Sequence, residues 1–241
     1  MRLLAALVAL LLPQVAGASP CRDTRFEGAS FTLCEVSVGE DLRLFHSGAN
    51  GPLRSFSAVN DALAPSGKTL GFAMNAGMYH EDRAPVGLYV ENGQTQSALV
   101  TADGPGNFGL LPNGVFCIGD RSSVVESRAF AANPSACTYA TQSGPMLVIG
   151  GKLHPRLIPN SDSTYIRNGV GVSADGSRAV FAISNDAVNF HRFARLFRDV
   201  LGLPDALYFD GKISRLYAPD IGRNDIGFAM GPMVGTVIDR K

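Results

Sequence analysis

Short apolar runs next to glycine-containing turns recur along this chain and constrain its fold more than any other feature. Residues 115–118 and 179–183 are two such runs, preceded by the turn sequences of residues 112–114 and 175–176. Runs of this length that are rich in branched and aromatic residues are typical of buried β-strands. With 27 glycines in 241 residues, the chain is predicted to form a sheet-rich domain with many tight turns.

Helical spacing is limited to two segments. Between residues 190 and 201 apolar side chains recur every three or four positions, with Asn189 placed to cap the start and Gly202 to end the helix. A shorter helix is predicted over residues 56–63, capped by Ser57. The sequence therefore predicts an α+β fold: a single domain with a mixed, twisted β-sheet, one long helix at about residues 190–201 and a surface cleft.

Residues 31–45 alternate apolar and polar side chains on either side of Gly39, Glu40 and Asp41. Alternation with a period of two is the pattern of a half-buried strand, and a glycine closely followed by an aspartate is typical of a turn. This segment is therefore predicted to form a β-hairpin.

The first 18 residues have the features of a secretory signal peptide. Arg2 supplies the positive start, residues 3–12 are an unbroken apolar run, and residues 16–18 form the small-residue pattern at which signal peptidase cuts. Cys21 raises the alternative of a lipid-anchored protein, but Pro20 stands where a small residue is expected. We predict a signal peptide (residues 1–18), one domain (residues 19–241) and a periplasmic or secreted location.

The charge of the mature chain is close to zero, because 20 basic and 21 acidic side chains remain once Arg2 is removed. No overall field attracts nucleic acid or an anionic membrane, and the apolar run of the signal is too short to span a bilayer. The sequence therefore predicts no nucleic-acid partner and no stable membrane insertion after signal removal. It leaves the oligomeric state open.

Four cysteines remain in the mature chain, and an even number in an exported protein favours disulfides over metal ligation. Four cysteines allow three pairings. We favour Cys21 with Cys34 and Cys117 with Cys137, since each pair closes a short loop and contributes about 3 kcal/mol by restricting the unfolded chain.

A carboxylate at the end of a predicted strand is the first candidate for chemistry. Residues 206–209 form an apolar, aromatic run that stops at Asp210 and Gly211, and Lys212 and Ser214 follow at once. A carboxylate held there is suited to act as general acid, base or nucleophile, and the side chains after it are suited to face a bound anion or sugar. The alternative is an aspartate that caps a turn by accepting backbone N–H bonds.

An arginine at the start of another predicted strand is the second candidate. Arg167 precedes Gly169 and Gly171, and its planar guanidinium is suited to grip a phosphate with two parallel hydrogen bonds. The alternative is a structural arginine paired with a carboxylate. Asn75, near Gly77, is a candidate for binding sugar hydroxyls, and the alternative is a turn or bulge residue. Ser143 is expected to have a hydrogen-bonding or turn role.

Five motifs in order along the chain resemble those of the phosphodiester glycosidase family: residues 74–79 (MNAGMY), 85–88 (PVGL), 143–147 (SGPML), 167–171 (RNGVG) and 209–211 (FDG) with Ser214. The resemblance covers roughly residue 70 to the end of the chain. The sequence departs from the family pattern at residues 211–214, where glycosidase-type members carry a glycine string, and at residues 76–79. Both departures indicate a short bacterial branch of the family.

The resemblance implies hydrolysis of the bond between a sugar's anomeric carbon and a phosphodiester, in one surface cleft lined by these motifs. It implies catalytic roles for Asp210 and Arg167, and substrate binding by Asn75, Gly77, Ser143, Gly144, Gly211, Lys212 and Ser214. The expected substrate is a sugar phosphate or glycan in cell-envelope or exopolysaccharide material. The alternative function is a non-catalytic periplasmic protein that binds a phosphorylated glycan.

Glycoside cleavage commonly uses a second carboxylate, and Glu81, Asp82 and Asp186 are the candidates. The four histidines lack metal-ligand spacing, so no metal site and no cofactor are predicted, although calcium bound by scattered oxygens leaves no sequence signature.

Overall fold

The structure is a computed structural model that describes residues 20–49 and 51–240. The predicted signal peptide, residues 1–18, lies outside the described residues. The strands in chain order are β1 Cys21–Phe26, β2 Ala29–Ser37, β3 Leu42–Phe45, β4 Ser47–Gly48, β5 Gly51–Pro52, β6 Lys68–Asn75, β7 Tyr89–Glu91, β8 Gln94–Ser97, β9 Gly114–Ile118, β10 Ser122–Glu126, β11 Tyr139–Ser143, β12 Met146–Ile149, β13 Lys152–Leu153, β14 Asn168–Val172, β15 Arg178–Ser184, β16 Asp205–Asp210, β17 Leu216–Ala218, β18 Arg223–Asn224 and β19 Met233–Asp239. The helices are α1 Phe56–Leu63, α2 Ser127–Ala132 and α3 Phe190–Arg195, and a π-helical turn, Leu196–Val200, continues α3.

The described strands form three larger sheets and one two-stranded ribbon, β4-β5. The orders are β1-β2-β15-β14-β16-β12-β13, β10-β9-β11-β7-β8 and β18-β17-β6-β19-β3. The α+β class is confirmed, but the strand pairs between the described residues are antiparallel, so the prediction of a mixed sheet is corrected. Short connections account for the hairpin pairs, such as β14 and β15, because parallel neighbours need a long crossover. The pairs β2 with β15 and β6 with β19 are also antiparallel although they are distant in sequence.

The predicted hairpin over residues 31–45 is wrong in its pairing. Both strands exist, but β2 pairs with β1 and β15, whereas β3 pairs with β19 in a different sheet. Alternation of side chains identifies a strand and its buried face without specifying its neighbour. Here the turn after β2 carries the chain from one sheet to the next.

Four phenylalanines from the three sheets form the centre of the core. Phe181 of β15 packs on Phe72 of β6 with ring centroids 5.4 Å apart, and on Phe116 of β9 at 5.7 Å. Phe116 also packs on Phe209 of β16 at 6.2 Å. Full burial of a phenylalanine stabilises a fold by about 1.5–3 kcal/mol, so this cluster holds the three sheets together.

A helix covers the outward face of each larger sheet. Phe193 of α3 and Phe197 of the π-helical turn pack on β15 and β16. Phe130 of α2 packs on β9 and β11, and Phe56 of α1 packs on β6 and β19. Successive side chains of a strand point to opposite faces, so each strand supplies both the central core and the layer beneath its helix.

Both predicted helices are present. α1 has the predicted bounds, but its cap is Ser55, whose Oγ accepts the N–H of Ala58 at 3.2 Å, rather than Ser57. The predicted long helix corresponds to α3 and the π-helical turn together, capped by Asn189. This segment leads into β16 and so helps to position the end of that strand.

Two disulfides close short loops, as predicted. Cys21–Cys34 joins β1 to β2, and Cys117–Cys137 joins β9 to the segment before β11. Disulfides are typical of oxidising compartments, which fits an extracellular protein. Across residues 20–49 and 51–240, no helix is both long and apolar enough to cross a membrane.

Candidate functional site

A cleft of about 690 Å³ lies where β16 ends, beside the start of α3 and the segment that precedes β14. Arg167 and Asp210, which are distant in sequence, both line it. The described lining residues are Met78, Tyr79, Val86, Pro105, Asn107, Phe108, Ser163, Tyr165, Arg167, Phe190, Tyr208, Asp210, Gly211, Lys212 and Ile213. The fold therefore brings the two predicted catalytic residues to one surface depression.

Arg167 is held by uncharged partners. Its Nε donates to the carbonyl of Val188 at 2.8 Å, and its Nη2 donates to the carbonyl of Ser163 at 2.9 Å. Its Nη1 lies 3.4 Å from the hydroxyl of Tyr208, and the guanidinium lies 3.6 Å from the ring centroid of Phe190. These contacts fix the orientation of the guanidinium and leave N–H groups on both terminal nitrogens for a ligand.

The charge of Arg167 is not neutralised by a carboxylate within the described part of the chain. The residue is 1 % exposed, and it makes no ion pair with any residue of 20–49 or 51–240. Burial lowers the pKa of the guanidinium, because a low-dielectric environment disfavours the charged form. A buried cation without a counter-ion is costly, and an anionic ligand in the cleft would compensate that cost.

Asp210 is the last residue of β16, and its carboxylate is turned into the strand-end turn. Oδ1 accepts the backbone N–H of Gly211 at 2.6 Å and that of Lys212 at 2.8 Å. Burial raises the pKa of Asp210 in spite of these bonds. Burial raises the pKa of Tyr79, and the nearby carboxylate of Asp210 raises it further. Asp210 thus caps a turn and faces the cleft.

Replacing Asp210 with asparagine is expected to raise stability, and to raise it more as the pH increases. The folded-state pKa lies above the ordinary value of 3.8, so between the two pKa values the folded state keeps a proton that the unfolded state has lost. The free energy of unfolding of the wild type therefore falls as the pH rises through that window, and asparagine has no such titration. Urea unfolding of both proteins from pH 3.5 to pH 7 measures the difference, and a difference that does not change with pH would contradict the account.

Gly211 makes room for two side chains of the cleft, Tyr208 and Arg167. A Cβ atom at this position would overlap the hydroxyl of Tyr208 and would lie 3.5 Å from Nη1 of Arg167. Burial raises the pKa of Tyr208 well above its usual range, so this hydroxyl stays neutral and serves as a hydrogen-bonding group.

The substitution Gly211→Ala is expected to weaken binding of inorganic phosphate by about tenfold. Overpacking of this kind costs about 1–3 kcal/mol, and it displaces Tyr208 or Arg167 from the cleft wall. Calorimetric titration with phosphate measures the loss. Gly104→Ala is the matched control, because a Cβ at Gly104 meets no atom within 4 Å. Equal affinity of the two variants would contradict the proposed crowding.

Asn75 and Ser214 lie behind the cleft wall, not in its lining. Asn75 is fully buried: its Oδ1 accepts the N–H of Arg215 at 2.9 Å, and its Nδ2 donates to Asn168 at 3.2 Å. The Ser214 hydroxyl lies 2.8 Å from the carbonyl oxygen of Asp210 and 2.9 Å from that of Ile166. These contacts tie β6, β14 and the turn after β16 together and so position Asp210.

Of the other predicted binding residues, some lie behind the cleft wall and some line the cleft. Ser143 is buried, and its hydroxyl donates to the carbonyl of Phe209 at 3.1 Å. Gly77 lies against Thr141, and Gly144 lies against Asn113 and the carbonyl of Phe108, which belongs to a cleft-lining residue. None of these three lines the cleft, whereas Gly211 and the exposed Lys212 do.

Several aromatic residues of the cleft were not predicted from the sequence. Tyr208 stands two positions before Asp210, and the two-residue period of a strand was a signal that both face one side. Tyr165 and Phe190 reach the cleft through an isolated bridge between Tyr165 and Val188. No local pattern predicts that contact, because its two sides are far apart in sequence.

Asp210 is the one carboxylate among the described residues that line the cleft. Of the candidates for a second acid, Asp186 accepts the N–H of Ser30 at 2.7 Å and Asp82 accepts that of Ala84 at 2.9 Å. Neither of them lines the cleft, and Glu81 does not either. Within residues 20–49 and 51–240, no three His, Cys, Asp or Glu side chains are grouped as a metal site requires, and the absence of a metal requirement stays a prediction.

Comparisons with known proteins identify the family and the fold of the chain. Residues 68–229 match the family model described as phosphodiester glycosidase. The chain is 41% identical over 181 residues to the uncharacterized protein YigE of Escherichia coli strain K12. The aligned region covers 74% of this chain and 70% of that protein. The fold resembles the zebrafish N-acetylglucosamine-1-phosphodiester alpha-N-acetylglucosaminidase catalytic domain auto-inhibited by its pro-peptide, with a TM-score of 0.60 and 12% identity over 90% of this chain and 81% of that one.

Proposed function

The chain belongs to the phosphodiester glycosidase family, and on that premise we propose that it is an exported hydrolase that cleaves the glycosidic bond of a sugar phosphodiester. The proposed substrate lies in cell-envelope or exopolysaccharide material outside the cytoplasm, and the chain reaches it in the periplasm or after secretion, directed by residues 1–18. The proposed reaction needs no cofactor.

One observation carries the proposal: a buried arginine with no carboxylate partner in the described part of the chain shares a cleft with a strand-end aspartate. The guanidinium of Arg167 supplies a fixed positive fork for a phosphate group. Asp210 supplies a carboxylate for the anomeric carbon bonded to that phosphate. A phosphodiester of a sugar presents these two groups, an anion and an acetal carbon, next to each other.

The proposed chemistry breaks the bond between the anomeric carbon and the phosphate oxygen. Water adds to the carbon, its proton passes to a base, and the phosphate leaves with the bonding electron pair as a monoester. A phosphate leaving group is a weak base that needs little protonation, so Arg167 stabilises its charge. The carboxylate of Asp210 acts as the general base that takes the proton of the attacking water.

The remaining residues have positioning or binding roles in this proposal. Lys212 is an exposed cation at the cleft and attracts the anionic substrate. Asn75, Ser143 and Ser214 hold the backbone around Asp210 by the hydrogen bonds described above. Gly211 leaves space for Tyr208 and Arg167.

Release of free sugar from a panel of sugar 1-phosphodiesters tests the proposed function. The panel varies the sugar and its anomeric configuration, with p-nitrophenyl phosphate as the common aglycone. We expect at least one member to be hydrolysed to sugar and p-nitrophenyl phosphate, without free p-nitrophenol as the first product. Release of p-nitrophenol first would assign the chain to phosphate-ester cleavage instead and would overturn the proposal.

A binding role without hydrolysis is the second candidate. The observation that favours it is the single carboxylate among the described lining residues, whose Oδ1 already accepts two backbone N–H groups. In that case a sugar 1-phosphate binds in calorimetry while every diester of the panel remains intact.

A further inference from the structure

The loop between β18 and β19 carries the two most exposed large apolar side chains in the described part of the chain. Ile226 is 89 % exposed and Phe228 is 79 % exposed. Single apolar residues are common on protein surfaces. Two in one short loop, both almost fully in water, are a feature that a bound apolar group would explain.

The backbone of this loop is fixed although its apolar side chains are free. Arg215 donates to the carbonyl of Asp225 at 2.7 Å and to that of Phe228 at 2.8 Å. The N–H of Met230 donates to the carbonyl of Arg54 at 2.9 Å. These bonds hold the chain on both sides of Phe228, so the two apolar side chains are presented outward by a rigid support.

The loop adjoins the cleft that holds Arg167 and Asp210. Tyr79, which lines the cleft, donates from its hydroxyl to the carbonyl of Ala229 at 3.1 Å, and Gly231 packs against the Tyr79 ring. Phe228 therefore stands close in the chain to the cleft wall, and Ile226 lines an adjoining cavity with Ile166 and Ser214, the chain neighbours of Arg167 and Ile213 in the cleft. The floor of the cleft carries the uncompensated cation of Arg167. A ligand that combines an anionic group with an apolar chain matches both features at once.

We propose that Ile226 and Phe228 bind the apolar aglycone of the substrate, which is a phosphodiester joining the sugar to a long alkyl or isoprenoid chain. This inference rests on the proposed function and narrows its substrate class. The phosphate is bound by Arg167 in the cleft, and the apolar chain leaves the cleft past Tyr79 and covers the loop.

Calorimetric titration with methyl phosphate and octyl phosphate tests the inference without requiring turnover. The wild type is expected to bind octyl phosphate about tenfold more tightly, a difference of about 1.4 kcal/mol. The double substitution Ile226→Ser with Phe228→Ser is expected to abolish that preference and to leave the affinity for methyl phosphate unchanged. Val38→Ser is the matched control, because Val38 is 54 % exposed and lines a cavity that shares no residue with the cleft or with the cavity of Ile226, and it is expected to keep the preference.

The possible outcomes separate this inference from the proposed function. If methyl phosphate binds but octyl phosphate binds no more tightly, or if the double variant keeps the preference, the inference is overturned and the proposed function is unaffected. If the wild type binds neither phosphate, both fail. Sedimentation with phosphatidylcholine vesicles tests whether the loop binds a membrane surface instead. If the wild type binds vesicles, the double variant does not, and the wild type shows no preference for octyl phosphate, the loop is assigned to a membrane surface and the inference is overturned.

Discussion

Replacing Arg167 with methionine is expected to lower kcat/KM for a sugar phosphodiester by between about 150-fold and 25,000-fold. Two hydrogen bonds from a charged guanidinium contribute about 1.5–3 kcal/mol each, and methionine supplies neither the bonds nor the charge. The guanidinium is already oriented by the carbonyls of Val188 and Ser163, so its loss removes a group that is in place before the substrate arrives.

The substitution Arg167→Lys separates charge from geometry. Lysine keeps the positive charge but loses the planar fork, so we expect a folded protein with most of the activity lost. Because a ligand that binds only the folded state raises the melting temperature, added phosphate should stabilise the wild type and should not stabilise Arg167→Met. Wild-type kcat/KM in the lysine variant would contradict a role for bidentate phosphate binding.

Replacing Asp210 with asparagine is expected to lower kcat by between about 100-fold and 10,000-fold, the range typical of a lost general acid or base. The affinity for a sugar 1-phosphate should change little. Asparagine retains an oxygen that accepts the N–H groups of Gly211 and Lys212, which now bond Oδ1, so the turn is preserved and the loss is chemical.

Asp186→Asn is the matched control for this experiment. Asp186 was a candidate second acid in the sequence, but its carboxylate accepts the N–H of Ser30 and does not line the cleft. Its substitution is expected to leave kcat unchanged. Equal losses in the two variants, or activity retained by Asp210→Asn, would remove Asp210 from the chemistry.

Local chemistry in the sequence predicted much of the fold. The end of β16 and the bounds of α1 were correct because apolar runs and the residues that end them act over a few positions, although the cap of α1 is Ser55 rather than Ser57. Cys21–Cys34 and Cys117–Cys137 were correct because short loops close most readily. Strand pairing was not predictable in the same way, since β2 and β3 have similar patterns and lie in different sheets.

The candidate site shows the same division between local and long-range information. Arg167 and Asp210 were identified by their chemical types at strand ends, and the fold places them in one cleft. Asn75 and Ser143 also stood out as polar residues in apolar runs, but their side chains bond protein groups behind the cleft wall. A buried polar residue needs a hydrogen-bonding partner, and the sequence does not show whether that partner is a ligand or another strand.

A crystal structure of the protein with a bound sugar 1-phosphate tests the central claim most directly. The account predicts that phosphate oxygens lie within hydrogen-bonding distance of Nη1 and Nη2 of Arg167, with the anomeric carbon facing the carboxylate of Asp210. A sugar phosphate bound elsewhere on the molecule, with the guanidinium of Arg167 contacting only Val188, Ser163 and Tyr208, would contradict it.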